Sequence, residues 1–334
     1  MQIVRELDRD RWQEFLDCQP PGGIFHTPEV YTVFEKAAGH APELWAAVDA
    51  AGWPAALFAP VRVTVLGGPL RPLTTRSVAF GSVLAAPGKP GQTGLDQLLR
   101  AYNRKAGFGT LFTELRNPIQ LNGLQPTLDA NGYRFEDHLN FLIDLTQPES
   151  RLWSNIRSNA RRNIRKAQAE GVEVREVDDP AEMASVYAVL QAVYQRIQVP
   201  LPDESLFQAA YEVLRPRGMM RVLVARAGEA TIGALTLLVY RGVMLYWYTG
   251  TLREHSSLRP ADLLVWRALQ LGSATGCQVF DFGGGGRADE AYGVRDFKAK
   301  FGGEQVNFGR NVCVHGPVRL ALSLIGYRLV RRFL

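Results

Sequence analysis

Apolar and polar positions follow one another along the chain in an order that occurs twice. The first half opens with two stretches of helical periodicity, DRDRWQEFLD and FHTPEVYTVFEKAAG, and Pro28 suits the first turn of the second. A hairpin (PELWAAVDAAGWPAALFAPVRV), a third strand (SVAFGSVLA), a helix (TGLDQLLRAYNRKAG) and two more strands (GTLFTEL and YRFEDHLNFLIDL) follow. This half therefore predicts paired strands covered by helices.

The second half repeats the order of hairpin, strand, helix and strand. The corresponding segments are RVLVARAGEATIGALTLLVY, VMLYWYTGT, PADLLVWRALQLGSATG and CQVFDFGG. Gly81 and Glu114 are 33 residues apart, and Gly250 and Asp281 are 31 apart, which favours an internal duplication. We predict an α/β fold with mixed sheets, divided into domains 1–147 and 148–334 at a break near Gln147-Pro148.

Composition narrows the class of protein. The chain has 334 residues, 46% of them hydrophobic, which suits two globular cores. Its three cysteines are far apart and its five histidines lack metal-ligand spacing, so we expect reduced thiols and no metal site. Acidic residues stand in MQIVRELDRDRW where a signal peptide has an apolar run, and no stretch is apolar enough to span a membrane, so we expect a cytoplasmic protein.

Basic residues are concentrated in two segments. Residues 151–169 contain six basic residues and no acidic one, and residues 316–334 contain four and no acidic one. Because the net charge of the whole chain is +5, the remainder is acidic. The basicity therefore belongs to local sites.

The first basic segment, RLWSNIRSNARRNIRKAQAEGVEV, predicts an amphipathic helix. Its apolar positions share one face (Trp153, Ile156, Ala160, Ile164 and Ala167), and its cations fill the opposite one (Arg157, Arg161, Arg162, Arg165 and Lys166). Acidic partners at i,i+4 spacing are missing, so the cations repel one another. One interpretation is a solvated surface. The other is a surface that binds tRNA, a pyrophosphate or anionic lipid headgroups.

The second signal is the run VFDFGGGGRADEAYGVRDFKAKFGGEQV. A strand that ends at Asp281 enters a glycine run that includes Gly283 and Gly284, where backbone can approach a ligand closely. Arg295, Lys298 and Lys300 then alternate with two phenylalanines, which predicts cations presented at a pocket. The GxxxxGK[ST] pattern of a nucleotide-hydrolysing loop is absent from the sequence.

The residues FDFGG…GVRDFKAKFGGEQV resemble the closing signature of FemAB-like proteins, which are tRNA-dependent transferases that build peptidoglycan cross-bridges. RSNARRNIRKAQAEGVEV resembles the basic helix that opens the second domain of that family, and FHTPEVY resembles an element of the first. The resemblance covers roughly residues 20–315. It implies two acetyltransferase-like (GNAT) domains with a cleft between them.

The resemblance also implies roles for single residues. Lys298 matches the signature lysine and would stabilise negative charge on the ester carbonyl; we expect it to be exposed. The family has an Asp-Pro where this chain has Asn117-Pro118, which leaves Glu114 and Asp281 as candidates for the base, or as carboxylates that bind turn N–H groups.

Binding residues are implied in the same way. Arg196 stands where the family has an arginine that grips precursor phosphates, and Lys36 fits a phosphate-binding lysine with a shifted register. Arg295 would join them at the pocket. A surface role remains the alternative for Arg196.

The leading hypothesis is a transferase that moves an aminoacyl group from aminoacyl-tRNA to an amine of a peptidoglycan precursor, with no bound cofactor. One rival is an acyl-CoA-dependent N-acyltransferase acting on an envelope sugar or another amine. Such an enzyme would have a glycine loop, R/Q-x-x-G-x-G/A, that TLREHSSLRPADLL lacks, although Arg253, His255 and Arg259 could hold an anion there. The second rival is a non-catalytic RNA-binding module.

The C-terminal segment GPVRLALSLIGYRLVRRFL predicts a basic helix. Its larger apolar residues share one side (Leu322, Ile325, Leu329 and Phe333), and three arginines lie away from it (Arg328, Arg331 and Arg332). Such a helix either packs on the second domain or lies on an anionic membrane. The second arrangement would place the protein peripherally at the inner face of the membrane.

Overall fold

The computed structural model describes residues 1–19, 22–121 and 123–333, with side chains as far as residue 326. The first nine strands are β1 Gln2–Val4, β2 His40–Pro42, β3 Trp45–Val48, β4 Pro54–Phe58, β5 Val61–Thr64, β6 Thr75–Ala79, β7 Val83–Ala85, β8 Phe112–Arg116 and β9 Arg134–Glu136. The others are β10 Leu139–Asp144, β11 Val172–Glu176, β12 Met220–Ala227, β13 Ala230–Tyr240, β14 Val243–Thr251, β15 Val279–Asp281, β16 Glu304–Asn307 and β17 Arg310–Val314.

The helices alternate with groups of these strands, and α12 follows the last strand. The first five are α1 Arg9–Asp17, α2 Pro28–Lys36, α3 Arg71–Thr74, α4 Lys89–Ala106 and α5 Gln125–Ala130. The others are α6 Glu149–Asn155, α7 Ser158–Ala169, α8 Met183–Arg196, α9 Glu204–Leu214, α10 Pro260–Ala274, α11 Gly293–Lys298 and α12 Pro317–Phe333. Among the described residues, none of these helices has both the length and the apolar content needed to cross a bilayer.

The chain forms two compact units. Unit 1 contains residues 1–137 and 308–334, and unit 2 contains residues 138–307. This division differs from the predicted domains 1–147 and 148–334, because β10 joins the sheet of unit 2 and β17 joins unit 1. The predicted break at Gln147-Pro148 is instead the N-terminal boundary of α6.

The two units share one strand order. In unit 2 the order is β11-β12-β13-β14-β15-β10-β16, and β14 and β15 are parallel. Unit 1 has sheets of order β1-β3-β4-β7 and β2-β5-β6-β8-β17-β9, and β6 and β8 are parallel. In unit 1 the short strands β4 and β5 together correspond to the long strand β13, and β6 and β7 together correspond to β14. The predicted third strand SVAFGSVLA is therefore two strands.

Each unit is completed by a strand from the opposite half of the sequence. β17, near the end of the chain, lies between β8 and β9, and β10, which follows β9 directly, lies between β15 and β16. The predicted strand YRFEDHLNFLIDL is thus split between the two units. Equivalent strands have exchanged places, which is the physical reason why the domain boundaries differ from a simple division in the middle.

Helices cover the sheet of unit 2 through apolar faces. Ile164 of α7 and Leu264 and Leu269 of α10 share one core with Leu235 of β13 and Phe280 of β15. α8 packs separately against β13 and β14. The mixed α/β fold with helices on its sheets is confirmed.

The predicted basic helix is divided. α6 ends before Ile156, whose backbone is extended (φ −68°, ψ 132°), and α7 begins after Arg157. Trp153 therefore belongs to α6, although the side chains of Ile156, Ala160 and Ile164 are buried as predicted.

The strand exchange predicts which fragments fold. Residues 138–307 contain all seven strands of unit 2 and should give a cooperative unfolding transition by circular dichroism. Residues 148–334 lack β10, which leaves β15 and β16 without a common neighbour, so we expect that fragment to be unfolded or aggregated. A cooperative transition in fragment 148–334 with protected amides in β15 would contradict the exchange.

Candidate active site

An opening forms in unit 2 where two parallel strands separate. β14 and β15 pair from Val243↔Val279 to Leu245↔Asp281. Beyond this point β14 has a bulge at Trp247, between Tyr246 and Tyr248, and continues along β13. Thr236 stabilises the bulge because its Oγ1 accepts from the N–H of Tyr248 at 3.0 Å.

The chain after Asp281 follows β10 instead. Phe282 N–H donates to the carbonyl of Phe141 at 3.1 Å, and Gly285 N–H donates to the carbonyl of Leu139. The glycine run is therefore hydrogen-bonded along a strand, not a loose loop. Gly283 needs to be glycine, because its φ is +72° and a Cβ there would lie 2.9 Å from the carbonyl oxygen of Tyr246.

Asp281 and Asn140 hold the first turn of this run. Asp281 Oδ1 accepts from Asn140 Nδ2 at 2.6 Å and from the N–H of Gly283 at 2.7 Å. Asn140 Oδ1 accepts from the N–H of Gly284 at 2.9 Å. Burial raises the pKa of Asp281, while these two donors and Lys298 oppose the rise. The bonds of Asp281 indicate a carboxylate that positions the glycine run.

Lys298 clamps the same turn from the other side. Its Nζ donates to the carbonyls of Phe282 and Gly284, both at 2.6 Å, and lies 5.4 Å from the ring centre of Tyr246. The side chain is only 6% exposed, so the expectation of an exposed lysine is wrong. Burial lowers its pKa to about 8, against the opposing effect of the Asp281 carboxylate, and the ammonium is still mostly charged at neutral pH.

Aromatic and imidazole groups surround the opening. The ring of Tyr194 of α8 lies 6.0 Å from that of Tyr248, with the planes tilted at 49°. Burial raises the pKa of Tyr194, as do Tyr248, Tyr246 and Tyr292. A Cβ on Gly284 would lie 3.1 Å from Nε2 of His138, so this half-buried imidazole lies against the glycine run.

The other predicted binding residues of unit 2 lie farther along the same elements. Arg295 donates to the carbonyls of Arg287 and Glu290, and so orders the segment after the glycines. Arg196 is exposed at the C-terminal end of α8, two residues after Tyr194.

Glu114 and Lys36 lie in unit 1. Lys36 is the last residue of α2 and is exposed. Burial alone would raise the pKa of Glu114, but Arg116 and Arg310 lower it to about 2, with contacts of 2.7 and 3.0 Å. Such a strongly paired carboxylate is a weak base at neutral pH, so the structure does not favour Glu114 in that role.

The cations of α7 form a continuous surface of unit 2. Arg157, Arg162, Arg165 and Lys166 are exposed and Arg161 is half-buried. The guanidinium of Arg165 lies 5.4 Å from the ring centre of Trp153. The N–H of Arg157 donates to the carbonyl of Lys300 at 2.8 Å, which links this surface to the segment that carries Lys298.

The arrangement combines a buried cation, a rigid glycine turn and an aromatic opening. These features can bind a planar carbonyl group and stabilise an oxyanion as it forms.

The sequence analysis did not identify four residues of this site, which are Asn140, His138, Tyr194 and Tyr246. Asn140 does interrupt an apolar strand pattern in LNFLIDL, but its contact with Asp281 spans 141 residues, and nothing local indicates it.

The fold and the second half of the chain match known proteins. Residues 154–298 match the model of the family described as acetyltransferase (GNAT) domain. The crystal structure of FemX is similar with a TM-score of 0.69 at 12% identity, over 97% of this chain and 100% of that one. No match was found among curated proteins.

Two further structures are similar over nearly their whole length. L-PGS from Bacillus licheniformis has a TM-score of 0.60 at 14% identity, over 96% of this chain and 98% of that one. A tandem GNAT protein from the clavulanic acid biosynthesis pathway has a TM-score of 0.59 at 13% identity, over 95% and 99%. At these identities the likeness to solved structures is one of fold.

The family model supports a GNAT-type domain in residues 154–298, and the likeness in fold to FemX and to the tandem GNAT protein confirms the predicted tandem GNAT-like fold. The family model also agrees with the prediction of an acyltransferase.

The buried lysine predicts how stability depends on pH. The pKa of Lys298 is about 8 in the folded protein and 10.5 as a free side chain, so the unfolded chain binds more protons between these values. The free energy of unfolding of the wild type, relative to Lys298→Met, should therefore rise between pH 8 and pH 10.5, by on the order of 3 kcal/mol.

Chemical denaturation at a series of pH values measures this difference. Val294→Ala, an exposed change on the same helix, controls for effects of pH that do not involve Lys298. A difference between wild type and Lys298→Met that stays constant from pH 8 to pH 10.5 would show that the lysine is not buried as a cation.

Proposed function

We propose that unit 2 transfers an aminoacyl group from an aminoacyl-tRNA to an amine of a peptidoglycan precursor. The observation that carries this proposal is the opening between β14 and the glycine run, where Lys298 places a buried positive charge beside fixed backbone.

The segment before α10 favours a donor other than CoA. In CoA-dependent members a glycine loop here would present free N–H groups to a pyrophosphate. In this chain residues 253–258 form a 3-10 helix. The N–H groups of His255 and Arg259 are used internally, by the carbonyls of Leu252 and Ser256. These two N–H groups are therefore not free to hold a pyrophosphate.

The surface of α7 favours a polyanionic donor. Its cations repel one another and are stabilised when phosphates lie between them. The helix is held firmly: Asn163 donates to Asp262 of α10 at 3.3 Å, and Ala160, Ile164 and Ala167 are fully buried. A rigid basic surface next to the Lys298 segment suits the backbone of a tRNA whose acylated end enters the opening.

The chemistry needs few protein groups because an aminoacyl ester is already activated. The amine nitrogen attacks the ester carbonyl carbon, a C–N bond forms, and the C–O bond to the ribose breaks. The proton lost by the amine ends on the released ribose hydroxyl. Two N–H groups of the Lys298 ammonium hold carbonyls of the glycine run, and the third supplies positive charge to the oxyanion during the attack.

The rival with a CoA donor draws on the family model for residues 154–298 and on Arg253 and Arg259, which flank the 3-10 helix. The acceptor has rivals too, because the C-terminal domain of a putative lysylphosphatidylglycerol synthetase resembles this chain in fold. Donor and acceptor are therefore best tested in combination.

The test is a matrix of labelled aminoacyl-tRNAs or labelled acetyl-CoA with a soluble or lipid-linked peptidoglycan precursor or phosphatidylglycerol, analysed by mass spectrometry. We expect an amide on the precursor from aminoacyl-tRNA alone. Lys298→Met should lower kcat by about 10²–10³. Label transferred only from acetyl-CoA, or only to phosphatidylglycerol, would overturn the proposal.

The role of α7 gives a separate prediction. Reversing two exposed cations, Arg162→Glu with Lys166→Glu, should raise the Kd for tRNA and lower its dependence on salt, because phosphate contacts are lost. The matched control, Lys89→Glu with Arg134→Glu, changes net charge equally on exposed positions of unit 1. Equal weakening by both pairs would mean that α7 contributes only to the overall charge.

A further inference from the structure

The apolar stripe of α12 faces outward. Val318, Leu322 and Ile325 recur at helical spacing and are 72%, 55% and 55% exposed. Leu320 and Ser323, on the other side, are half-buried. The expected alternative, in which this helix packs on the second domain, is not what the structure shows, because α12 belongs to unit 1. Leu329, Phe333 and the three last arginines lie outside the described side chains.

α12 is nevertheless fixed to unit 1. The N–H groups of His315 and Gly316 both donate to the carbonyl of Leu111, at 2.9 and 3.1 Å. Arg319 donates to the carbonyl of Gly107 at 2.8 Å, and α12 packs against α3. The helix is therefore anchored on its inner side while its apolar side points away from the unit.

Segments adjacent in the chain to the contacts of α12 expose apolar side chains as well. The segment that leads into α3 contributes Val65, Leu66 and Leu70, which are 59%, 50% and 49% exposed. Phe108, next to the carbonyl that binds Arg319, is 91% exposed. We call these four residues, with Val318, Leu322 and Ile325, the outer apolar face. Exposed apolar groups gathered in one region indicate an interaction surface.

The charge around the outer apolar face is positive. Arg71 and Arg104 are exposed beside it, and Arg319 is half-buried within it. Residues 60–78, 97–113 and 305–334, which supply the face and its surroundings, contain no acidic residue. Apolar side chains flanked by cations match the acyl boundary and anionic headgroups of a bilayer.

We propose that the outer apolar face of unit 1 docks on the surface of an anionic lipid bilayer, with α12 lying in the plane of the membrane. Charge argues against a second copy of the chain as the occupant, because two such faces would bring like charges together. The proposal concerns unit 1 and does not depend on the donor or acceptor of unit 2.

The test uses the full chain and phosphatidylcholine vesicles with and without phosphatidylglycerol, measured by co-sedimentation. We expect binding to the anionic vesicles that weakens with salt. Leu322→Gln with Ile325→Gln should weaken this binding about tenfold, because two apolar groups that become buried in the bilayer are lost. The matched control, Ile197→Gln with Val199→Gln, changes two exposed apolar residues of unit 2 and should bind like the wild type.

Two further measurements test the direction of the effect and the folding of each variant. Val318→Trp should tighten binding, since tryptophan favours the interface, and circular dichroism shows whether each variant is folded. Equal binding by wild type and Leu322→Gln/Ile325→Gln, or no binding to anionic vesicles, would overturn the proposal. A concentration-dependent dimer in analytical ultracentrifugation that this pair abolishes would do the same, and would assign the face to a second copy.

Discussion

The exchange of β10 and β17 is the constraint from which the rest of the structure follows. β10 is the strand against which the glycine run lies, from Phe282 to Gly286, and it supplies Asn140 to Asp281. Gly303 explains how β16 can join on the other side, because its φ is +106° and a Cβ there would lie 2.6 Å from the carbonyl of Leu142. The candidate site of unit 2 therefore depends on a strand that the first half of the sequence supplies.

Burial decides how the charges in this site behave. Removing an ammonium from water is costly unless its donors are satisfied, and Lys298 offsets that cost through two carbonyls, the ring of Tyr246 and the field of Asp281. The same contacts fix the turn at Gly283 and Gly284. A single side chain thus holds the backbone in place and keeps a positive charge in an environment where electrostatic effects are strong.

The sequence predicts those features of the structure that depend on residues close together in the chain. Asp281, the glycines and Lys298 belong to one continuous segment, so their meeting at one strand end is predictable, as are β13, β14 and α10 from their periodicity. The burial of Lys298 is not, because it depends on Tyr246 from another strand. The break between α6 and α7 carries no glycine or proline signal, since the residues at it are Ile156 and Arg157. The sequence does not predict the exchange of β10, because its alternating apolar pattern is compatible with the sheet of either unit.

The shared topology also shows how the two units differ at equivalent strand ends. In unit 1 the parallel strands β6 and β8 separate as β14 and β15 do. After these strand ends, a series of polar side chains is linked by hydrogen bonds. Ser82 Oγ donates to Asn117 at 2.8 Å, Asn117 Nδ2 donates to Asn311 at 2.8 Å, and Asn311 donates to Gln125 at 3.0 Å. Ser82 and Asn311 are buried, and Glu114 is neutralised by arginines. Because these polar groups satisfy one another, none is left poised to meet a developing charge. At the corresponding strand end of unit 2 the buried group is a cation, Lys298, which donates to the carbonyls of Phe282 and Gly284.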